Sequence, residues 1–112
     1  ASEFPEARSW MEAAAFAGYA DALHALGVWH AHGKCGVPRD YVRAVQLHTQ
    51  AAQQGHMDAQ FELAALCACG NGTAQDWSRA VHWYTKAAEQ GHPAAQNNLG
   101  VCYCKGEGVA QD

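Results

Sequence analysis

The stretch AVHWYTKAAEQGHPAAQNNLGVCYCKGEGVAQD, residues 80–112, decides the fold, because its landmarks recur upstream in the same order. The pair Ala87-Ala88 precedes Gly91 as Ala51-Ala52 precedes Gly55 and Ala14-Ala15 precedes Gly18, the glycines standing 37 and then 36 residues apart. Next, Ala95…Leu99-Gly100 answers to Ala59…Leu63-Ala64 and to Ala22…Leu26-Gly27. The closing Gly106…Gly108-Val109…Asp112 answers to Gly70…Gly72-Thr73…Asp76 and to Gly33…Gly36-Val37…Asp40, with aspartates 36 apart. One insertion, Lys34-Cys35 against Asn71 alone, explains the 37. Three blocks in one register establish an internal repeat.

Each unit reads as two helices. Asp40 and Asp76 stand before Tyr41-Val42-Arg43-Ala44-Val45 and Trp77-Ser78-Arg79-Ala80-Val81, where a carboxylate can accept bonds from unpaired first-turn amides. These helices run through the Ala-Ala pairs to Gly55 and Gly91, which suit a left-handed cap. The next helix starts at once: Pro93 fits a first helical position, and Asp21 and Asp58 bring negative charge to a first turn. The spacing predicts helices near 4–17, 20–32, 41–54, 57–69, 77–90 and 93–104. Trp10, Leu47 and Trp83 share one repeat position and Phe4, Tyr41 and Trp77 another. These bulky residues are expected to fill the space beside paired alanines, which places most aromatics in the core. A single helix pair cannot bury its apolar face, whereas stacked pairs can.

Composition sets the outer limits. With 112 residues, 49% hydrophobic and 16% charged, the chain has the makings of one folded domain rather than a disordered segment. A net charge of −4 offers no basic surface for nucleic acid. No apolar run approaches the roughly 20 residues that span a bilayer, and no leader is visible. Five cysteines, an odd number, fit reduced thiols and a cytoplasmic setting more simply than an oxidising one. A periplasmic or secreted setting stays open if a leader has been removed. The chain begins at Ala1 with a second-type helix and stops at Asp112, where another is due. That reads as an excerpt of a longer array, or as ends that associate with other copies.

The string from Ala95 to Asp112 resembles the Sel1-like repeat pattern A-x-x-x-L-G-x-x-Y-x-x-G-x-G-V-x-x-D, and Ala80…Trp83-Tyr84…Ala87-Ala88…Gly91 resembles its second half. His30, where tyrosine is usual, and the loop insertion are the departures of the first full copy. The resemblance implies an all-α, right-handed superhelical solenoid of antiparallel helix pairs, tetratricopeptide-like. It would form one domain over residues 1–112, divided into a partial repeat 4–18, repeats 19–55 and 56–91 and a partial repeat 92–112. It implies a non-catalytic adaptor binding a protein or peptide. A cysteine-rich branch of the family bridges its helices with disulfides, and some members have been described as binding penicillin-like compounds. Alanines 52, 59, 88 and 95 hold those bridging positions here, so that activity is not carried over.

Few residues suggest other chemistry. Residues two apart on a helix point about 200° away from each other, so Cys67/Cys69 and Cys102/Cys104 cannot chelate as pairs, and Cys67 is expected to fill the core. His32 shares a register with Cys69, and stacked helices lie about 8–10 Å apart. His32, Cys35 and Cys69 could therefore meet at a loop edge around a soft divalent ion, which defines the alternative function: a metal- or redox-responsive module. No Ser-His-Asp order, phosphate loop or acid pair is visible, and the reading is not an enzyme, with no cofactor. His56 and His92 share the position after the glycine cap and read as helix connectors.

In this class of repeat the first helix of each pair lines the concave face. With Ala95, Leu99 and Tyr103 as the buried stripe, a rotation of about 100° per residue turns Asn97, Asn98, Val101 and Lys105 outward. Their counterparts are Phe61, Glu62, Ala65 and Cys69 in the middle copy, and His24, Ala25, Val28 and His32 in the first. Phe61 and Val28 would serve as apolar anchors, with polar groups around them, as a peptide-binding hot spot requires. In the competing reading Phe61 packs on its neighbours and the asparagines are merely solvated.

Overall fold

The computed structural model describes residues 5–108, so Phe4, Val109 and Asp112 lie outside the described residues. Six helices follow in order: α1 Pro5–Phe16, α2 Ala20–His32, α3 Tyr41–Gln53, α4 Met57–Cys69, α5 Trp77–Glu89 and α6 Pro93–Lys105. Among the described residues there is no strand.

Local chemistry explains these boundaries. Asp40 and Asp76 accept the Arg43 and Arg79 amides at 3.1 Å, opening α3 and α5, each bond supplying one of the four amides a helix start leaves unpaired. Helices α3 and α5 stop one residue short of the expected ends. Gln54 and Gln90 become their C-caps, and the left-handed Gly55 and Gly91 (φ 90° and 95°) turn the chain. The His56 and His92 amides then close back on the Ala51 and Ala87 carbonyls at 3.2 and 3.1 Å, a six-to-one closure that satisfies otherwise orphaned acceptors. By contrast α6 runs one residue longer than the spacing suggests, to Lys105.

Small and large side chains interlock along the stack. Helix α2 packs most extensively on α3, and α4 on α5, while α3–α4 and α5–α6 make the joints between pairs. Ala44, Ala51, Ala59, Ala80, Ala87 and Ala95 are wholly buried, and Leu23, Leu47 and Leu63 are at most 1% exposed beside them. Each such leucine contributes roughly 1.5–3 kcal/mol. The resulting body measures 49 × 23 × 18 Å.

Two core expectations need correction. Trp10 is 76% exposed although its counterpart Leu47 is 1% exposed, and Tyr103 is 41% exposed although its counterpart Cys67 is wholly buried. Both exposed residues sit on the outermost helices described, α1 and α6, which pack mainly against one neighbour each. Phe16 and Tyr19, at 95% and 69% exposure, likewise stand outside the core at the α1–α2 turn.

The return loops need glycine for a steric reason as well as a conformational one. Gly72 (φ 76°) and Gly108 (φ 75°) are left-handed, and a Cβ on either would overlap the Tyr41 or Trp77 carbonyl of the preceding pair. Each loop is thereby seated, backbone on backbone, over the first turn of the second helix one pair back. Arg8 makes a related contact in the first copy, donating to the Gly36 carbonyl at 2.9 Å.

Candidate functional site

Helices α2, α4 and α6 carry all ten residues singled out for the groove, and none of the ten is buried. His24, Val28, Phe61, Glu62, Ala65 and Asn98 are partly buried, while His32, Asn97, Val101 and Lys105 are exposed.

The joints between pairs are built from histidines. His56 is the N-cap of α4: its Nδ1 accepts the Ala59 amide at 3.1 Å. That bond places the ring proton on Nε2, which donates to Asp21 Oδ1 on α2 at 2.8 Å. The same arrangement recurs one pair later, where His92 Nδ1 accepts the Ala95 amide at 3.1 Å and Nε2 lies 3.3 Å from Asp58 Oδ1 on α4. Above each capping ring lies a ring of the preceding first helix: His24 stacks on His56 with centroids 4.8 Å apart, and Phe61 on His92 at 4.6 Å. Phe61 also leans on Tyr84 at 5.8 Å. It is therefore packed on its neighbours rather than standing free on the face.

Beneath this layer, Tyr84 on α5 and His48 on α3 occupy one repeat position and behave differently. Tyr84 has a partner, Asn98 Nδ2 donating to its hydroxyl at 3.3 Å. His48 is wholly buried, and neither ring nitrogen has a hydrogen-bond partner. Burial, reinforced by His24 and then His56, pushes its pKa down to about 3. His24, 5.3 Å from His48 between centroids, is shifted downward too, by burial first and by His56 second. Gly27 makes room for the buried imidazole, since a Cβ there would meet it at 2.8 Å. This cluster was not legible in the sequence as a unit, because its members come from α2, α3 and the cap of α4.

Between α4 and α6, with α5 as floor, lies a cavity of about 230 Å³ bounded by Ala68, Trp77, Tyr84, Asn98, Val101 and Lys105. The structure thus brings Asn98, Val101 and Lys105 together around one apolar hollow. His24 and Val28 lie farther along the same side, on α2. A larger hollow of about 600 Å³ opens on the opposite side between α1, α2 and α3, where Leu26, His30, Arg43 and Leu47 line it. It sits where Leu47 replaces the bulkier Trp83 of the next repeat, a difference visible in the sequence once the repeats are superposed.

His32, Cys35 and Cys69 do not form the cluster imagined for a metal. All three are exposed, and among the described residues no group of three His, Cys, Asp or Glu side chains is arranged to hold an ion. Cys35 is carried in the inserted loop at a left-handed φ of 58°, in a turn held to its own helix by Lys34 N–H on the Trp29 carbonyl. Among the described residues none of the five cysteines is in a disulfide. Burial pushes the Cys67 and Cys102 thiols up, which keeps them protonated and unreactive. No helix among the described residues is long and apolar enough to cross a membrane.

Comparison with known proteins agrees with this architecture. The family model "Sel1 repeat" matches residues 20–56, 58–92 and 93–112. A protective antigen of uropathogenic Escherichia coli with an SLR fold is 37% identical and superposes with a TM-score of 0.95 over 98% of this chain and 23% of that one. A Sel1 repeat protein from Oxalobacter formigenes is 35% identical, with a TM-score of 0.88 over 93% of this chain and 42% of the other. The chain therefore spans less than half the length of either structure. No curated protein sequence matches it significantly.

Proposed function

Since this chain belongs to the Sel1 repeat family, whose fold generally mediates protein–protein interaction, we propose that it is a non-catalytic scaffold holding a protein or peptide against the α2/α4/α6 face. The observation that carries this reading is the cavity between α4 and α6. Its apolar floor and wall, Tyr84, Trp77 and Val101, are ringed by the amide of Asn98 and the ammonium of Lys105. A concave apolar patch with a few convergent polar groups is the usual form of a recognition site. The ten residues proposed to meet the partner remain His24, Val28, His32, Phe61, Glu62, Ala65, Asn97, Asn98, Val101 and Lys105. Phe61 acts through the stacked layer it shares with His92 and Tyr84.

The test is affinity capture with the intact parent protein and mass spectrometry, repeated with two variants. Val101 is 42% exposed, so Val101→Asp should leave the melting temperature unchanged and remove the specific partner. Gln50→Trp, at an exposed residue lining the hollow on the other side, should retain it. Loss with Gln50→Trp and retention with Val101→Asp would move the site to the opposite face and refute the reading.

A further inference from the structure

Glu62 is the odd member of its register. The equivalent positions hold Ala25 and Asn98, and in the middle of the groove face a carboxylate stands instead. It is partly buried. Among the described residues it makes no hydrogen bond and no ion pair. Withdrawing a carboxylate from water without a donor is unfavourable. Burial accordingly raises its pKa, with His32 and His92 opposing the rise and Asp58 adding to it. No internal contact repays that cost.

The charges around it explain what is missing. Of the seven lysines and arginines, Lys105 is the one carried on α2, α4 or α6; Arg8, Arg43, Arg79 and Lys86 are on α1, α3 and α5, and Lys34 and Arg39 are in a loop. Asp21, Asp58 and Glu62 share the groove side, and Glu107 lines the cavity. The face is acidic, and its middle carboxylate lacks a counter-ion. Glu62 is also close enough to Tyr84, the cavity floor, for its charge to act on that hydroxyl.

We propose that the partner of this face presents a lysine or arginine side chain to Glu62 and seats a neighbouring apolar side chain in the cavity bounded by Trp77, Tyr84 and Val101. The proposal rests on the groove reading above and adds the chemistry of the occupant. An arginine fork would supply the paired donors that the carboxylate lacks. The apolar neighbour would cover the hollow and exclude water from the ion pair.

A random dodecamer peptide library displayed on phage and panned against the chain tests this. Enriched peptides should carry Arg or Lys beside an aromatic or aliphatic residue. One such peptide, synthesised, should bind Glu62→Gln at least tenfold more weakly and Val101→Asp at least as poorly. Its affinity for the unaltered chain should fall with added salt more steeply than for Glu62→Gln. The free Glu62→Gln chain should melt at the same temperature or higher, since an unpaired half-buried carboxylate has been removed. Peptides that lose Val101→Asp but bind Glu62→Gln undiminished would overturn the cation pairing and leave the groove standing. Peptides that bind both variants like the unaltered chain would overturn the groove reading itself. A clear drop in the melting temperature of Glu62→Gln would make Glu62 a structural residue and end the proposal.

Discussion

Replacing the buried His48 by leucine, a side chain of similar volume with nothing to ionise, should flatten the pH dependence of stability. In the folded chain the His48 pKa is depressed to about 3 from 6.5. The unfolded chain therefore binds a proton that the folded chain refuses, once the pH falls below the unfolded value. Stability is intact above about pH 6.5 and declines through the window down to about pH 3, at a limiting slope of about 1.4 kcal/mol per pH unit. Between about pH 7.5 and pH 5 the loss assigned to this one residue is about 2 kcal/mol, on the order of 8 °C in Tm for a domain of this size. His24, also shifted downward, adds in the same direction. Urea unfolding at the two pH values, for the unaltered chain and for His48→Leu, isolates the term, because packing differences cancel between pH values. Equal losses in both proteins, or a His48 ring that titrates near 6.5 by NMR, would refute the account.

Other consequences follow from the same contacts. Gly27→Ala, which in an open helix would stabilise by about 1 kcal/mol, should instead lower Tm, because its methyl meets the His48 ring at 2.8 Å; thermal melts of Gly27→Ala with and without His48→Ala check this, the double variant recovering most of the loss. Asp76→Ala removes the α5 cap bond and should cost about 1 kcal/mol, measurable by urea titration. Asp21→Asn, at a side chain 99% exposed, should change stability by less than about 1 kcal/mol despite its short contact with His56. Phe61→Ala, stripped of its stacking on His92 and Tyr84, should destabilise by about 1–3 kcal/mol in the same assay.

Much of the architecture could be read from residues that act locally. Asp40, Asp76, Gly55 and Gly91 start and stop helices through bonds within four or five residues, so their meaning survives without knowledge of the partner helix. The histidine caps were harder to see. His56 and His92 do the work usually left to Ser, Asp or Asn, through Nδ1 rather than an oxygen, and their Nε2 contacts reach back 35 and 34 residues to Asp21 and Asp58. Such a reach needs the superhelical register, which spacing alone does not supply. The outward rotation of Val101 and Lys105 followed from helical geometry. The fate of Phe61 did not, because a ring on the same face can face solvent or lie flat on the next cap. Trp10 and Tyr103 mark the other limit: a repeat position predicts burial where helices flank it on both sides.

The glycine loops seated on the Tyr41 and Trp77 carbonyls separate two tasks within the molecule. Because main-chain atoms set the distance from one module to the next, the pitch of the stack is insensitive to the identity of side chains on its outer walls. Residues such as Val101 and Lys105, exposed on α6, can thus be exchanged without re-engineering the frame that carries them.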